Sequence, residues 1–147
     1  MNSKAIFTLL AICSLLGLFA ADTPRKPAVI HLDHEQVAAA FEKGAPLLAT
    51  NNFKIQAGRR TGRGEVEIHD YDTDIFYVLE GSATFVTGGK AIDARTSGRG
   101  ETRAKEITGG EERPLTKGDI IVIPTGVPHW FKEVSGTFFY YVVKVSN

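Results

Sequence analysis

The sequence predicts an all-β fold carrying one short helix near its start. Three observations lead there. From Asn52 onward apolar and polar residues alternate with period two, as in FKIQA and EVEIH. β-Branched and aromatic residues crowd into runs such as DIFYVLEGSATFVTGG, DIIVIP and TFFYYVVKV, and Gly, Pro, Asn or Asp punctuates them. Short antiparallel strands in this number need closure or cover for their edges, so a sandwich or small barrel is expected.

The elements follow in chain order. MNSK supplies a positive start, Ala5 to Ala20 is an apolar run, and small and polar residues come after it, which reads as a secretory signal over residues 1–21 cut near Ala20 or Ala21. The run is shorter than the ~20 residues a helix needs to cross about 30 Å of hydrocarbon. A secreted or periplasmic location is expected. Removing the segment removes Cys13, the only cysteine, so the mature chain has neither disulfide nor thiolate and any metal site must use nitrogen and oxygen.

Residues 22–51 read as an arm and the helix. Asp33 is placed to cap it, Gln36 to complete a capping box and Gly44 to end it, which predicts a helix over 34–43. His31 and His34 flank the cap and read as surface imidazoles. Residues 52–147 hold the β structure, with 91–117 expected to be a flexible excursion with one or two short strands, such as KEI or RPL. Its Arg95, Arg99 and Arg103 read as solvated.

Composition narrows the function. At 147 residues and 43% hydrophobic content the chain can bury one core. Seventeen basic and seventeen acidic residues balance, and the pI is near 6.9. Such a chain has no electrostatic drive toward nucleic acid or an anionic membrane, so small molecules or proteins are the expected partners.

The chemistry-bearing residues gather in two stretches. In EVEIHDYDTDIFYVLEG, Glu65, Glu67 and His69 share one strand face, and Asp74, Phe76 and Val78 share a face of the next. A turn through Asp70 to Thr73 is expected to join them as a hairpin. In GDIIVIPTGVPHWF, Gly126 permits a sharp turn, and His129 and Phe131 then lie on one face. Carboxylates facing an apolar barrel interior are costly unless paired or bound to a cation, and a metal would resolve the conflict. Phe76, Phe131, Tyr140 and Tyr141 read as core, whereas Tyr71 and Trp130 do not.

The spacing Gly118, five residues, Pro124, one residue, Gly126, two residues, His129 resembles the second signature of the cupin superfamily, and IFYVLEG with IPTGVPHWF is similar to small single-domain secreted cupins of the conserved-barrel type. On the first signature the second histidine falls on His69 and the closing glycine on Gly81. The opening glycine falls on Thr61, the first histidine on Glu67 and the glutamate on Asp74. The asparagine that usually ends the second signature is Glu133 here. The resemblance implies a cupin double-stranded β-helix, a jelly-roll barrel of about six to eight strands, holding a divalent ion. On this chain the ligands would be Glu67, His69, Asp74 and His129, a nitrogen and oxygen set suited to Mn, Fe or Zn.

Two functions are compatible with this reading. One is a metal-dependent enzyme, dioxygenase-like or isomerase-like, acting on a small oxygenated molecule, with Glu133 or Glu67 as candidate general base. The other is a non-catalytic protein that holds a small molecule or the metal alone. Arg59, Arg60 and Arg63 would favour an anionic ligand if they rim the mouth, and Glu67 could instead pair with Arg60 or Arg63. Open strand edges make a homodimer the expected assembly.

Overall fold

The computed structural model describes residues 28–146, and the compact unit treated below begins at His31. The expected signal segment, with Cys13, lies outside the described residues.

Helix α1, His34–Lys43, forms as its caps dictate. The Asp33 carboxylate accepts from the Gln36 amide at 2.9 Å, the Gln36 side chain accepts from the Asp33 amide at 3.0 Å, and Gly44 ends the helix at φ 65°. Phe41 meets the rings of Phe139 and Tyr141 edge-on, which fastens the helix to the outside of the sheet.

Eleven strands follow: β1 (Pro46–Ala49), β2 (Phe53–Arg60), β3 (Val66–His69), β4 (Asp72–Thr87), β5 (Lys90–Ile92), β6 (Arg95–Gly98), β7 (Glu101–Ala104), β8 (Glu106–Thr108), β9 (Glu111–Thr116), β10 (Ile120–Ile123) and β11 (His129–Ser146). The sheet thus begins at Pro46, ahead of the expected barrel boundary. Nine strands form one antiparallel sheet and β5 pairs with β8 apart from it.

Two long strands fold this sheet over on itself. The first half of β4 pairs with β10 and with the second half of β11, which in turn pairs with β2. The second half of β4 pairs with β9 and with the start of β11, which meets β3. Between the halves, Gly81 sits at φ 84° and the β11 register shifts between Ser135 and Phe139. Glycine is required at 81 twice over, since a Cβ there would lie 2.5 Å from the Thr137 carbonyl oxygen. The two halves close on a core of Phe76, Val78, Phe85, Phe131, Phe138 and Tyr140, in which Phe85 and Phe138 are wholly buried. This is a double-stranded β-helix.

Three local expectations are corrected. β3 and β4 do not form a hairpin: β3 pairs with β7 and β11, while the Gly126 amide donates to the His69 carbonyl and the Asp70 amide to that of Gly100. The chain crosses at residues 70–71 from one half of the sheet to the other. Residues 91–117 are a built part of the fold rather than an excursion, running through β5 to β9, with the expected KEI and RPL strands falling on β8 and β9. Trp130 is core, packed in a second cluster with Val66, Val86 and Ala104, with Ala91 and Ile107 against it. Its indole N–H donates to the Gly64 carbonyl at 2.8 Å, and the Arg63 guanidinium lies over the ring.

Candidate metal centre

Pairing of β3 between β11 and β7 assembles the site. Period-two alternation puts Glu67 and His69 on one face of β3, and register places Glu67 opposite His129 on β11 and Arg103 on β7, with His69 opposite Glu101. Asp74 enters from the start of β4, where its partner on β11 is Lys144. All face one cavity of about 480 Å³.

The four residues singled out from sequence converge there. Glu67, His69 and His129 each offer one ligand atom within 4.8 Å of the others. The His69 and His129 ring centres stand 5.1 Å apart. Asp74 Oδ2 lies 3.4 Å from His69 Nε2 and 3.7 Å from His129 Nε2. So His69 and Asp74 meet across the interior rather than as hairpin neighbours.

Hydrogen bonds orient both rings with Nε2 inward. His129 Nδ1 donates to the Val127 carbonyl at 3.0 Å. Its Nε2 is then a bare lone pair, buried and without a hydrogen-bond partner. Burial lowers the His129 pKa against the pull of Asp74 and Glu67, so the ring is neutral. His69 Nδ1 stands 2.8 Å from Glu101 Oε2, a geometry that holds its N–H on that side.

The carboxylates are held ionised. Burial would raise the Glu67 pKa, but the hydrogen bond to His69 and the Arg103 guanidinium take it well below the usual range. Both Arg60, at 3.3 Å, and Arg103, at 2.5 Å, engage Oε1, which leaves Oε2 facing His69 at 3.5 Å. Burial of Asp74 is likewise overcome by His69 and Lys144, and its pKa is lowered. For His69 burial works downward, while Asp74 and Glu67 raise it to about 9.

Lys144 was not among the sequence candidates. Its Nζ lies 2.6 and 2.8 Å from the Asp74 oxygens and 2.8 Å from His69 Nε2. The line between Nζ and Nε2 carries one proton. When His69 is neutral the ammonium, spanning both Asp74 oxygens, donates and Nε2 accepts. A signal was present, because Phe138, Tyr140, Val142 and Lys144 fall on the inward face by alternation. Glu101 and Arg103 lay in the stretch read as an excursion, and Arg103 is a partner of Glu67 rather than solvated. Arg60 reaches the cavity wall, its Nε donating to the Tyr140 hydroxyl at 2.9 Å and its Cζ 4.5 Å from the Phe131 ring centre.

Glu133 is corrected as a candidate base. The register shift between Phe131 and Glu133 inserts one residue into β11 and turns Glu133 outward, where it is exposed opposite Thr84.

A divalent ion fits this donor set. Neutral His129 presents a buried Nε2 lone pair with no other use, His69 Nε2 becomes a second donor once an ion displaces its proton, and Glu67 Oε2 completes three nitrogen and oxygen donors.

A double-stranded β-helix with imidazoles and carboxylates converging inside one wall defines a barrel protein with a candidate metal centre. The sequence profile of the family described as Cupin matches residues 19–147, and the chain belongs to that family. No curated protein sequence matches it significantly. Among solved structures, a Bacillus halodurans protein aligns with TM-score 0.53 at 14% identity, covering 86% of this chain and 85% of its own. A Thermus thermophilus protein aligns with TM-score 0.51 at 19% identity over 69% and 80% of the two chains, and a Neisseria meningitidis protein with 0.51 at 16% over 81% and 100%. At these identities the likeness is one of fold.

Proposed function

We propose that this cupin binds a divalent metal through Glu67, His69 and His129 and holds a small oxygenated molecule in the same cavity. The observation that carries the reading is His129 Nε2, a buried acceptor without a partner, aimed at the other two donors. A buried polar atom left unsatisfied costs about 1–3 kcal/mol, and an ion would offset that cost. Mn, Fe and Zn suit the donors. When bound, such an ion supplies Lewis acidity toward an oxygen atom of the ligand. The chain's own part is to orient both imidazoles, keep Glu67 ionised through Arg60 and Arg103, and line the cavity with apolar groups and charged groups of both signs.

A non-catalytic binding role is favoured by one further observation. Neither candidate base is suited to moving a proton: Glu133 is outside the cavity, and against burial His69 and the guanidiniums at Glu67 lower its pKa and leave it only weakly basic. Oxygen uptake and product analysis with a panel of small acids and phenols separates a metal-dependent enzyme from a carrier.

Elemental analysis of purified protein tests the metal directly. We expect near-stoichiometric Mn, Fe or Zn, lost in His129→Ala. A folded preparation that carries none and refuses all three ions ends the reading.

Secretion and pairing of two copies belong to the same proposal. The apolar run from Ala5 to Ala20 supports export, and N-terminal sequencing of mature protein checks it. Tyr77, Ile120 and Val122 are exposed on neighbouring strands β4 and β10, and among the described residues β10 pairs on one side alone, which supports a self-pairing face. Light scattering is expected to give a dimer for the wild type and a monomer for Ile120→Lys.

A further inference from the structure

Lys144 stands where a cation is wanted. Its ammonium sits 2.8 Å from the inward nitrogen of one imidazole and 2.6 and 2.8 Å from the oxygens of Asp74, so the space beside His69 Nε2 already holds a positive charge supplied by the chain. The rest of the cavity is balanced as well. Lys54, Arg60, Arg103 and Lys144 line it together with Glu65, Glu67, Asp74 and Glu101, four basic against four acidic side chains. These acids are engaged: Glu65 by Arg95, Glu67 by Arg60 and Arg103, Glu101 by His69, and Asp74 by Lys144. A divalent ion entering this site adds two positive charges against which, of the oxygens facing His69 Nε2, only Glu67 Oε2 is unclaimed by a cation of the chain other than His69, and it must also displace Lys144 from beside His69 Nε2. Charge left uncompensated in a partly enclosed, low-dielectric cavity is costly.

We infer that Lys144 makes metal binding conditional on a small anion, so that a divalent ion and a carboxylate-bearing molecule enter the cavity as a linked pair. This rests on the metal reading above and goes beyond it. An anion relieves both costs at once, by offsetting the charge of the ion and by giving the displaced ammonium a second partner. Arg60, stacked on Phe131 and bonded to the Tyr140 hydroxyl, adds a fixed guanidinium on the same wall. The linkage is reciprocal, so the metal strengthens the anion by the factor by which the anion strengthens the metal.

Calorimetric titration of the metal-free protein with Mn(II), in zwitterionic buffer with and without acetate, tests this. Acetate is expected to tighten Mn(II) binding to the wild type by about tenfold or more. Lys144→Met is expected to bind Mn(II) more tightly than the wild type without acetate and to gain less from adding it. Equal wild-type affinity in both buffers, or a Lys144→Met variant that binds no more tightly, overturns the inference and leaves the metal reading standing. Folded wild type and variant that bind no Mn(II), Fe(II) or Zn(II) in either buffer end both. Should Lys144→Met fail to fold with Asp74 stripped of its counter-ion, the pair K144M/D74N frees His69 Nε2 without that defect, and the same outcomes apply.

Discussion

His69 and Glu101 face each other across the β3–β7 ladder, with Nδ1 and Oε2 2.8 Å apart. The contact fixes which nitrogen of His69 points into the cavity. Partners of this kind tune affinity by about 10–100-fold in metal sites. Glu101→Ala is therefore expected to weaken Mn(II) or Zn(II) binding by a factor in that range, read by competition with a chelating dye. An unchanged affinity would make Glu101 a surface acid and nothing more.

A second prediction concerns the closure of the sheet. Gly81 and Gly88 both have positive φ, but a Cβ at 81 meets the Thr137 carbonyl at 2.5 Å, whereas one at 88 meets nothing within 4 Å. Gly88→Ala bears backbone strain alone, about 1 kcal/mol. Gly81→Ala adds a backbone clash at the bend that lets β4 serve both halves of the sheet. Urea midpoints should fall further for position 81, and equal losses would remove the steric part of this account.

How much of this was legible beforehand differs by element. The helix could be read because its signals are local: Asp33, Gln36 and Gly44 act within three or four residues. The inward faces of β4 and β11 followed from period-two alternation, which put Asp74, Phe76, His129 and Phe131 inside. Pairing was not legible, because alternation states which side a residue faces and not which strand lies beside it. The hairpin expected between His69 and Asp74 failed for that reason. So did the view of residues 91–117 as an excursion: the expected KEI and RPL strands do fall on β8 and β9, but RTSG and ETRA, each with one β-branched residue, become β6 and β7 only through pairing, β7 lying against β3. Arg103 and Glu101 gained roles only through that register. Glu133 was misplaced because a single inserted residue in β11 reverses every face after it.

The core offers a third prediction. Phe85 is wholly buried, with ring centres of Phe131 at 4.7 Å and Phe76 at 5.8 Å. It belongs to the half of β4 that backs the site and lies 6.1 Å from the His129 ring centre. Truncation of such a phenylalanine costs about 3–5 kcal/mol. Phe85→Ala is expected to lose that much in chemical denaturation, and Phe85→Leu distinctly less. A loss near zero for Phe85→Ala would show that the two halves of the sheet do not depend on this contact.

The last prediction follows from Asp72, which is buried where β4 begins and accepts from Lys54 at 2.9 Å and from the Ser146 hydroxyl at 2.8 Å. Burial opposes ionisation, but these two donors prevail and its pKa is lowered from 3.8. A carboxyl group whose folded pKa is depressed releases its proton more readily folded than unfolded. Its stabilisation is therefore complete above the unfolded value of 3.8 and is lost as pH falls below it through the folded value. Lys54, half-exposed, has its pKa raised from 10.5 by the same contact, so the pair also weakens as pH rises above that value. Asp72→Asn should thus lower stability at neutral pH and flatten its dependence on pH below about 4, measured as denaturation midpoints across a pH series. Glu67 and Asp74 titrate in the same direction, so the acid limb should shrink in Asp72→Asn without vanishing. A variant whose acid limb matches the wild type would mean that the Lys54–Asp72 contact does not hold the start of β4 in solution.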